Sequence, residues 1–334
     1  MLSRLFEALY NKVFVNIVVS RSKTIVYIEE SNKKGILSSD SKSFDTTTLN
    51  TKMYEFINSA ICESPFYYIS ILDNSRTQGV IPTCTTRDMS VFYNLESSKY
   101  ICYKNKWAYY TSKSDLDSLQ QAYPNIGVDF IFSPFVLLVN FFKDKINTTL
   151  ALFILIEDNY ITLSVFDNSE LLYGDHIDME HGGEHEELLI EEETELDLGD
   201  SIDLDDIDAM DDIEGLDDFG DIEDLDSIDE IDEFAESEDE EEEFEDEADE
   251  ANVDDTDKFN EDYHRFSLIQ SSINHFYKDS KYDSKFIESV YIADGIGVSG
   301  DLKRYLEEEM FLSVFVRHLD LAIEVCEIAK AELK

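Results

Sequence analysis

The acidic residues of this chain are concentrated in one place. Residues 184–257, here called the acidic segment, contain 41 Asp and Glu and no Lys or Arg, whereas the other 260 residues hold 35 acids and 26 bases. The formal net charge of −50 therefore divides into −41 for the acidic segment and −9 for the rest. Such dense like charge with little apolar surface cannot form a core of its own. The sequence predicts a folded protein interrupted by a disordered acidic insertion.

The acidic segment also has a regular apolar pattern. A period of three residues matches neither an α-helix nor a β-strand. Two interpretations remain open: a solvated spacer with scattered apolar residues, or a ladder that binds a basic, apolar partner or divalent cations. The eleven positions are Leu204, Ile207, Met210, Ile213, Leu216, Phe219, Ile222, Leu225, Ile228, Ile231 and Phe234.

The remaining residues have the composition of a large globular protein. They can bury a substantial core in one two-lobed domain or two modest domains. Residues 1–16 lack a signal-peptide pattern, and the longest apolar run, Phe130–Phe142, is too short to cross a bilayer. We therefore expect a soluble cytoplasmic protein. Its acidity argues against nucleic acid and anionic lipid as main partners.

The cysteine spacing also bears on the compartment. No CxxC pair is present, which argues against a zinc site and indicates a reducing environment. The four cysteines are Cys62, Cys84, Cys102 and Cys326.

Local patterns predict a mixed first half. Met1–Lys12 is typical of a short amphipathic helix, either packed on its own lobe or docked on a membrane surface. Ser114 is the predicted N-cap of a helix over Asp115–Tyr123, and a second helix begins at Pro134 and runs to Lys143. The predicted strands are Val13–Val19, Thr24–Glu29, Phe66–Leu72, Lys106–Tyr110 and Val128–Phe132.

The second half begins with a predicted antiparallel meander and ends with alternating helices and strands. The meander strands are Leu150–Glu157, Tyr160–Asp167 and Leu171–Ile177. After the acidic segment come the helix Asp262–Tyr277, the strand Ser289–Ala293, the helix Asp301–Met310, the strand Ser313–Phe315 and the helix Leu319–Leu333. Gly295, Gly297 and Gly300 form a Gly-x-Gly-x-x-Gly turn between the strand and the helix that follows it.

This order of elements resembles the actin-like fold shared by actin and sugar kinases, and within it the PilM family of type IV pilus platforms. The segments that carry the resemblance are Lys106–Phe135, the meander Ala151–Ile177, and Phe266–Tyr277 with Val290–Gly295. The resemblance implies an α/β fold of two lobes. Residues 1–147 are the predicted first lobe with a small inserted subdomain, and residues 148–183 and 258–334 are the predicted second lobe. Residues 184–257 are the predicted insertion.

The nucleotide motifs of the actin-like family are largely missing. Both phosphate-binding hairpins of actin-like ATPases carry Asp-x-Gly, but this chain has Val18–Ser22 at the first hairpin, without acid or glycine. The second reads Ile156–Tyr160, where Glu157 or Asp158 supplies an acid without a glycine. The resemblance leaves Gly295, Gly297 and Gly300 as a degenerate adenosine-side turn. We therefore expect no catalytic residues and no ATP hydrolysis, with Mg-ATP binding possible but not favoured.

A cluster of histidines is a weak metal candidate. His176, His181 and His185 lie among acids at the start of the acidic segment, but their spacing matches no rigid site. We expect no metal and no resident cofactor.

The resemblance implies a scaffold as the function. In the PilM family the first lobe takes the N-terminal tail of a PilN-like single-pass inner-membrane protein. The resemblance implies a cytoplasmic component of a type IV pilus, secretion system or flagellar motor. Such a component would be peripheral to a bacterial inner membrane and would form a homo-oligomeric ring. An active actin-like ATPase and a binding role of the acidic segment itself are the alternatives.

Overall fold

A computed structural model describes residues 10–124, 126–179 and 251–333, with the side chains of residues 251–260 left out. Most of the predicted disordered insertion and residues 1–9 of the predicted N-terminal helix lie outside these ranges. Within the described part, the first lobe contains these elements in chain order: β1 (Lys12–Val19), β2 (Thr24–Asn32), β3 (Gly35–Phe44), α1 (Thr51–Ile61), β4 (Phe66–Leu72), β5 (Gln78–Ile81), α2 (Thr86–Phe92), β6 (Ser98–Tyr103), β7 (Trp107–Ser112), α3 (Lys113–Ala122), β8 (Phe130–Phe132) and α4 (Pro134–Phe141).

The second lobe repeats the plan of the first without its small inserted sheet. Its described elements are β9 (Ala151–Ile156), β10 (Tyr160–Asp167), β11 (Glu170–Asp178), α5 (Ala251–Lys278), β12 (Ser289–Asp294), α6 (Gly300–Glu308), β13 (Ser313–His318) and α7 (Leu321–Glu332).

Each lobe is built on a five-stranded sheet with the same strand order. The sheets run β3-β2-β1-β4-β8 and β11-β10-β9-β12-β13. In both, an antiparallel meander supplies three strands and two parallel strands follow through helical crossovers. A three-stranded sheet, β5-β7-β6, is inserted between β4 and β8. This repeat confirms the predicted two-lobed actin-like fold.

Helices α4 and α7 lie between the two sheets and form the centre of the molecule. Their buried side chains share one apolar cluster with Phe14 and Val18 of β1 and with Phe153 of β9. The outer faces are covered separately: Val15 and its neighbours face α1, while the other face of β9 packs against α5 and α6. Helix α4 is apolar on all sides because it is buried on all sides.

Several predicted boundaries differ from the structure, and three of the differences are instructive. Lys12 begins β1 and is not helical. Helix α3 starts two residues earlier than predicted, because the hydroxyl of Ser112, not Ser114, accepts the backbone N–H of Asp115 at 3.1 Å. Helix α5 begins at Ala251, so residues 251–257 of the predicted insertion are helical. Extending an existing helix costs little per residue.

Candidate functional site

The candidate site is the cleft where the lobes meet at the C-terminal ends of their central strands. The β1–β2 turn and the β9–β10 turn face each other there, and the β12–α6 turn lies beside them. Two cavities, of about 510 Å³ and 310 Å³, flank these turns, and Ser20 lines both. The larger is lined mostly by the first lobe, with Tyr160 and His176 from the second. The smaller contains Glu157 and Gly295.

The β1–β2 turn offers a tight backbone hairpin without an acid. The backbone N–H of Ser20 donates to the carbonyl of Lys23 at 2.9 Å, and Ser20 is buried. Lys23 is the cation of this turn that lines the smaller cavity. In the related ATPases a carboxylate of this hairpin organises Mg²⁺, and residues 19–24 carry no carboxylate.

Glu157 on the β9–β10 turn is a buried carboxyl group. Its side chain is only 3% exposed, and Oε1 has no hydrogen-bond partner among the described residues. Burial first, and then the charges of Asp158 and Asp294, raise the pKa of Glu157 to about 8. At pH 7 the carboxyl group is therefore mostly protonated. It lacks the negative charge that a metal-organising acid supplies.

Glu157 also explains Gly295. A Cβ atom at position 295 would lie 1.8 Å from Oε1 of Glu157 and 3.1 Å from the carbonyl oxygen of Ile156. Any side chain there would displace the turn or the carboxyl group. The glycine is required by close packing between two strand ends of the second lobe.

The rest of the glycine turn is closed by Asp294, the last residue of β12. One carboxylate oxygen of Asp294 accepts the backbone N–H groups of Ile296, Gly297 and Val298 at 3.1, 2.7 and 3.1 Å. Gly297 has a φ of +81°, the left-handed conformation that wraps the turn around this carboxylate. Amides that would otherwise be free to bind a ligand are bonded within the chain.

The start of α6 is also satisfied by a carboxylate of the chain. Gly300 is its first residue, and the N-cap Ser299 donates its backbone N–H to Oδ2 of Asp262 on α5 at 3.2 Å. Asp262 is in turn held by Arg265, at 2.7 Å. Among Gly295, Gly297 and Gly300, only Gly295 lines either described cavity.

A polar network that the sequence did not reveal joins the inserted sheet to the second lobe. Gln78 donates to the carbonyls of Asp73 and Ser75 at 3.2 and 2.8 Å, and its Nε2 lies 3.4 Å from Nε2 of His176. Arg76 pairs with Asp178 across the same boundary. The contacts lie between β5 and β11, far apart in sequence, so no local pattern indicates them.

His176 is part of this network. Its Nδ1 lies 2.8 Å from the hydroxyl of Thr162, and burial lowers its pKa to about 4, so the ring is neutral at pH 7. His181 and His185 lie outside the described residues. In the part of the chain that is described, no group of three or more His, Cys, Asp or Glu is placed to hold a metal ion.

The cysteine spacing indicated a reducing environment, in which thiols stay free, and this prediction is wrong for Cys84 and Cys102. The hairpin β6–β7 and the loop after β5 bring Cys84 and Cys102 together as a disulfide with Cα atoms 5.7 Å apart. Cys62 and Cys326 are free thiols, the first exposed and the second buried. A separation of 18 residues, with helix α2 between the two cysteines, leaves no spacing signal in the sequence.

None of the helices in the described ranges has the length and apolarity needed to cross a bilayer.

Several solved structures are similar in fold. A Bacteroides thetaiotaomicron protein with an actin-like ATPase fold and unknown function matches at 12% identity over 98% of both chains, with a TM-score of 0.41. The PilM–PilN type IV pilus biogenesis complex matches at 9% identity over 94% of both chains, with a TM-score of 0.48. MreB5 of Spiroplasma citri bound to ADP matches at 9% identity over 96% of this chain and 97% of that one, with a TM-score of 0.46. At these values the activities and partners of those proteins do not carry over to this chain.

Two family models match the sequence itself. A domain of unknown function, DUF8569, matches residues 10–139, and a second, DUF8341, matches residues 152–334. No curated protein matches the chain. Since the second match spans more than half of the residues, the chain belongs to the DUF8341 family.

Proposed function

We propose that this protein is a non-catalytic scaffold of actin-like fold that binds the cytoplasmic tail of a PilN-like inner-membrane protein. The observation that carries the non-catalytic part is the closed glycine turn. The carboxylate of Asp294 occupies three amides of that turn, and Asp262 occupies the amide of Ser299 at the start of α6. A nucleotide that used the backbone amides of this adenosine-side turn would have to displace both carboxylates.

The two phosphate hairpins support the same proposal. The first has no acid, and of the two acids of the second, Glu157 is buried with a pKa of about 8 while Asp158 lines the smaller cavity. Catalysis of phosphoryl transfer depends on positioned metal ions and cations around the phosphate. This cleft provides Arg21 and Lys23 as cations and Asp158 as an acid, but neither hairpin turn carries the Asp-x-Gly pattern of the family.

A fixed arrangement of lobes suits a scaffold. Actin-like enzymes act by opening and closing the cleft around nucleotide, which is a domain motion of the hinge type. Here the contacts of Gln78 with His176 and of Arg76 with Asp178 tie the inserted sheet to the second lobe. Each opening would break these bonds and expose the apolar contact between β5 and β11.

The partner is proposed from the sequence resemblance to the PilM family. A single-pass inner-membrane protein of PilN type would bring this chain to the cytoplasmic face of a bacterial inner membrane. Several copies would form a ring in a pilus, secretion or flagellar motor assembly.

The nucleotide test is thermal unfolding of the full chain with and without millimolar Mg-ATP, followed through the fluorescence of Trp107, the single tryptophan. A ligand at about 100 times its dissociation constant stabilises a fold by about 2.7 kcal/mol, a shift of several degrees. We expect no shift. A clear shift would show that the cleft closes on nucleotide, and an actin-like nucleotide switch would then replace the passive scaffold as the leading proposal.

The partner test is independent of nucleotide. The full chain, cross-linked in cells and purified, should recover a single-pass inner-membrane protein. A synthetic peptide of that protein's cytoplasmic tail should then bind the purified chain in titration calorimetry, and a scrambled peptide should not. If no such tail binds, the scaffold has another partner.

A further inference from the structure

The hairpin β6–β7 carries an exposed basic strip in an otherwise acidic protein. We call it the basic edge and define it as Lys99, Tyr100, Ile101, Lys104 and Lys106. All five side chains are exposed, and the two apolar ones are 42% and 57% exposed. Positions 97–114 hold four lysines and no acid, whereas the chain as a whole has a net charge of −50. Charge and apolar surface therefore coincide on this one hairpin, with Lys99, Tyr100 and Ile101 on β6 and Lys104 and Lys106 in the turn that follows.

The basic edge is also an unpaired strand edge. In the order β5-β7-β6, strand β6 pairs only with β7 among the described residues. Its outer side presents backbone N–H and C=O groups to which an extended segment can add as a further strand. The turn at Lys104 and Asn105, with φ of 49° and 57°, makes the hairpin tight and points it away from the core.

The acidic segment leaves the second lobe beside this sheet. Strand β11 ends at Asp178, whose carboxylate pairs with Arg76, two residues before β5 begins. Gln78, Thr111 and Lys99 stand in one cross-strand row of the small sheet. Two strand spacings, roughly 10 Å, separate the first and last members of that row. Strand β11, the last described strand before the acidic segment, therefore ends close to one end of the basic edge.

We propose that residues 184–250 of the acidic segment dock on the basic edge of their own molecule. These residues contain 38 acids and no base, together with the apolar positions spaced by three. Lysine side chains would bind the carboxylates, while Tyr100 and Ile101 would contact the apolar side chains. Tethering within one chain gives an effective concentration near millimolar, so a weak contact suffices to keep the segment docked. This docking covers the one basic patch of the inserted sheet and holds the polyanion against the first lobe.

The test is zero-length carbodiimide cross-linking of the full chain, with peptide mapping by mass spectrometry. A mixture of unlabelled and ¹⁵N-labelled protein distinguishes links within a molecule from links between copies. Lys33 and Lys34, exposed on the β2–β3 turn, are the matched control lysines. We expect Lys99, Lys104 and Lys106 to link to residues 184–250 at least five-fold more than the control lysines, within one molecule, and to lose this excess in 1 M salt.

Two results would overturn the proposal. Equal yields from both sets of lysines would mean that the segment has no preferred site. Links found only between labelled and unlabelled copies would mean that docking occurs between molecules.

A second measurement reports on the strand itself. Docking slows amide hydrogen exchange in residues 98–103, and K99E/K104E/K106E should raise that exchange at least three-fold. K33E/K34E should leave it unchanged. All substituted residues are exposed, so unfolding is not expected, and the fluorescence of buried Trp107 checks that the fold is intact. Unchanged exchange in the triple variant would contradict docking on this edge.

Discussion

The ionisation of Glu157 gives the sharpest prediction about the cleft. The pKa of this buried carboxyl group is about 8 in the folded protein, against an ordinary value of 4.5. The folded state therefore keeps a proton that the unfolded chain has already lost between these two pH values. By linkage, stability from this group is largest at low pH and falls as the pH rises towards 8.

The magnitude follows from the two pKa values. Between pH 5 and pH 8 the wild-type protein should lose about 3.5 kcal/mol of unfolding free energy through this one group, as order of magnitude. Glu157→Gln cannot ionise, so it avoids that loss. The variant should resemble the wild type at pH 5 and be more stable than it by about 3 kcal/mol at pH 8. Contributions from all other acids are common to both proteins and cancel in the difference.

The assay is urea unfolding at pH 5, 6, 7 and 8, monitored through the fluorescence of Trp107, which is 2% exposed. Glu308→Gln, the same chemical change at an exposed position of α6, is the matched control. A difference between Glu157→Gln and wild type that stays constant across the pH range would refute the reasoning. Glu157 would then be ionised at neutral pH, and the cleft would contain a charged acid after all.

Two further substitutions test how the lobes are joined. Lys330→Met leaves Glu29, whose side chain is 1% exposed and bonded to Lys330 Nζ at 2.9 Å, without its cation, so we expect a loss of about 3–5 kcal/mol in urea unfolding. The double variant Lys330→Met/Glu29→Gln should recover most of the lost unfolding free energy, and a double variant no more stable than Lys330→Met would contradict the prediction. As a control, Lys303→Met breaks an exposed ion pair and should cost under about 1 kcal/mol. Gly174→Ala places a Cβ atom 2.3 Å from Cγ2 of Val80, and the contact between β11 and β5 should weaken by about 1–3 kcal/mol. Val80→Ala in the same chain should relieve the clash, and strictly additive losses would show that the two side chains do not meet.

Local patterns predicted the elements that are buried on both faces. Strand β9 is Ala151–Ile156, six consecutive buried apolar residues, and α4 is apolar throughout because it lies between the sheets. Strand β3, by contrast, was not predicted. It is an exposed edge strand rich in serine, and it forms because β2 offers hydrogen-bonding groups, not because of its own pattern. Strands β5 and β6 and helix α2 were missed because each has seven residues or fewer. Helix α1 was missed although it carries a readable pattern, with Asn50 as its N-cap and the buried Met53 and Ile57 four residues apart.

The glycine turn shows the same difference between what the sequence predicts and what only the structure reveals. Its position after β12 was readable, as was Asp294 at the place where the related family prefers a glycine. What the sequence did not show is that this carboxylate accepts three amides of the turn. The distances depend on backbone geometry that a list of residues does not contain.

The sequence by itself determined the absence of an acid in the first hairpin and the location of the negative charge, because residue types and composition are local properties; the two-lobed fold was implied by the resemblance to the actin-like family. The tertiary structure alone decided that Glu157 is buried beside Gly295, that Cys84 meets Cys102, and that the basic edge lies near the point where the acidic segment leaves the second lobe. Burial and proximity between distant positions arise only when the sheets are assembled. The protonation of Glu157 and the pairing of Cys84 with Cys102 follow from this burial and this proximity.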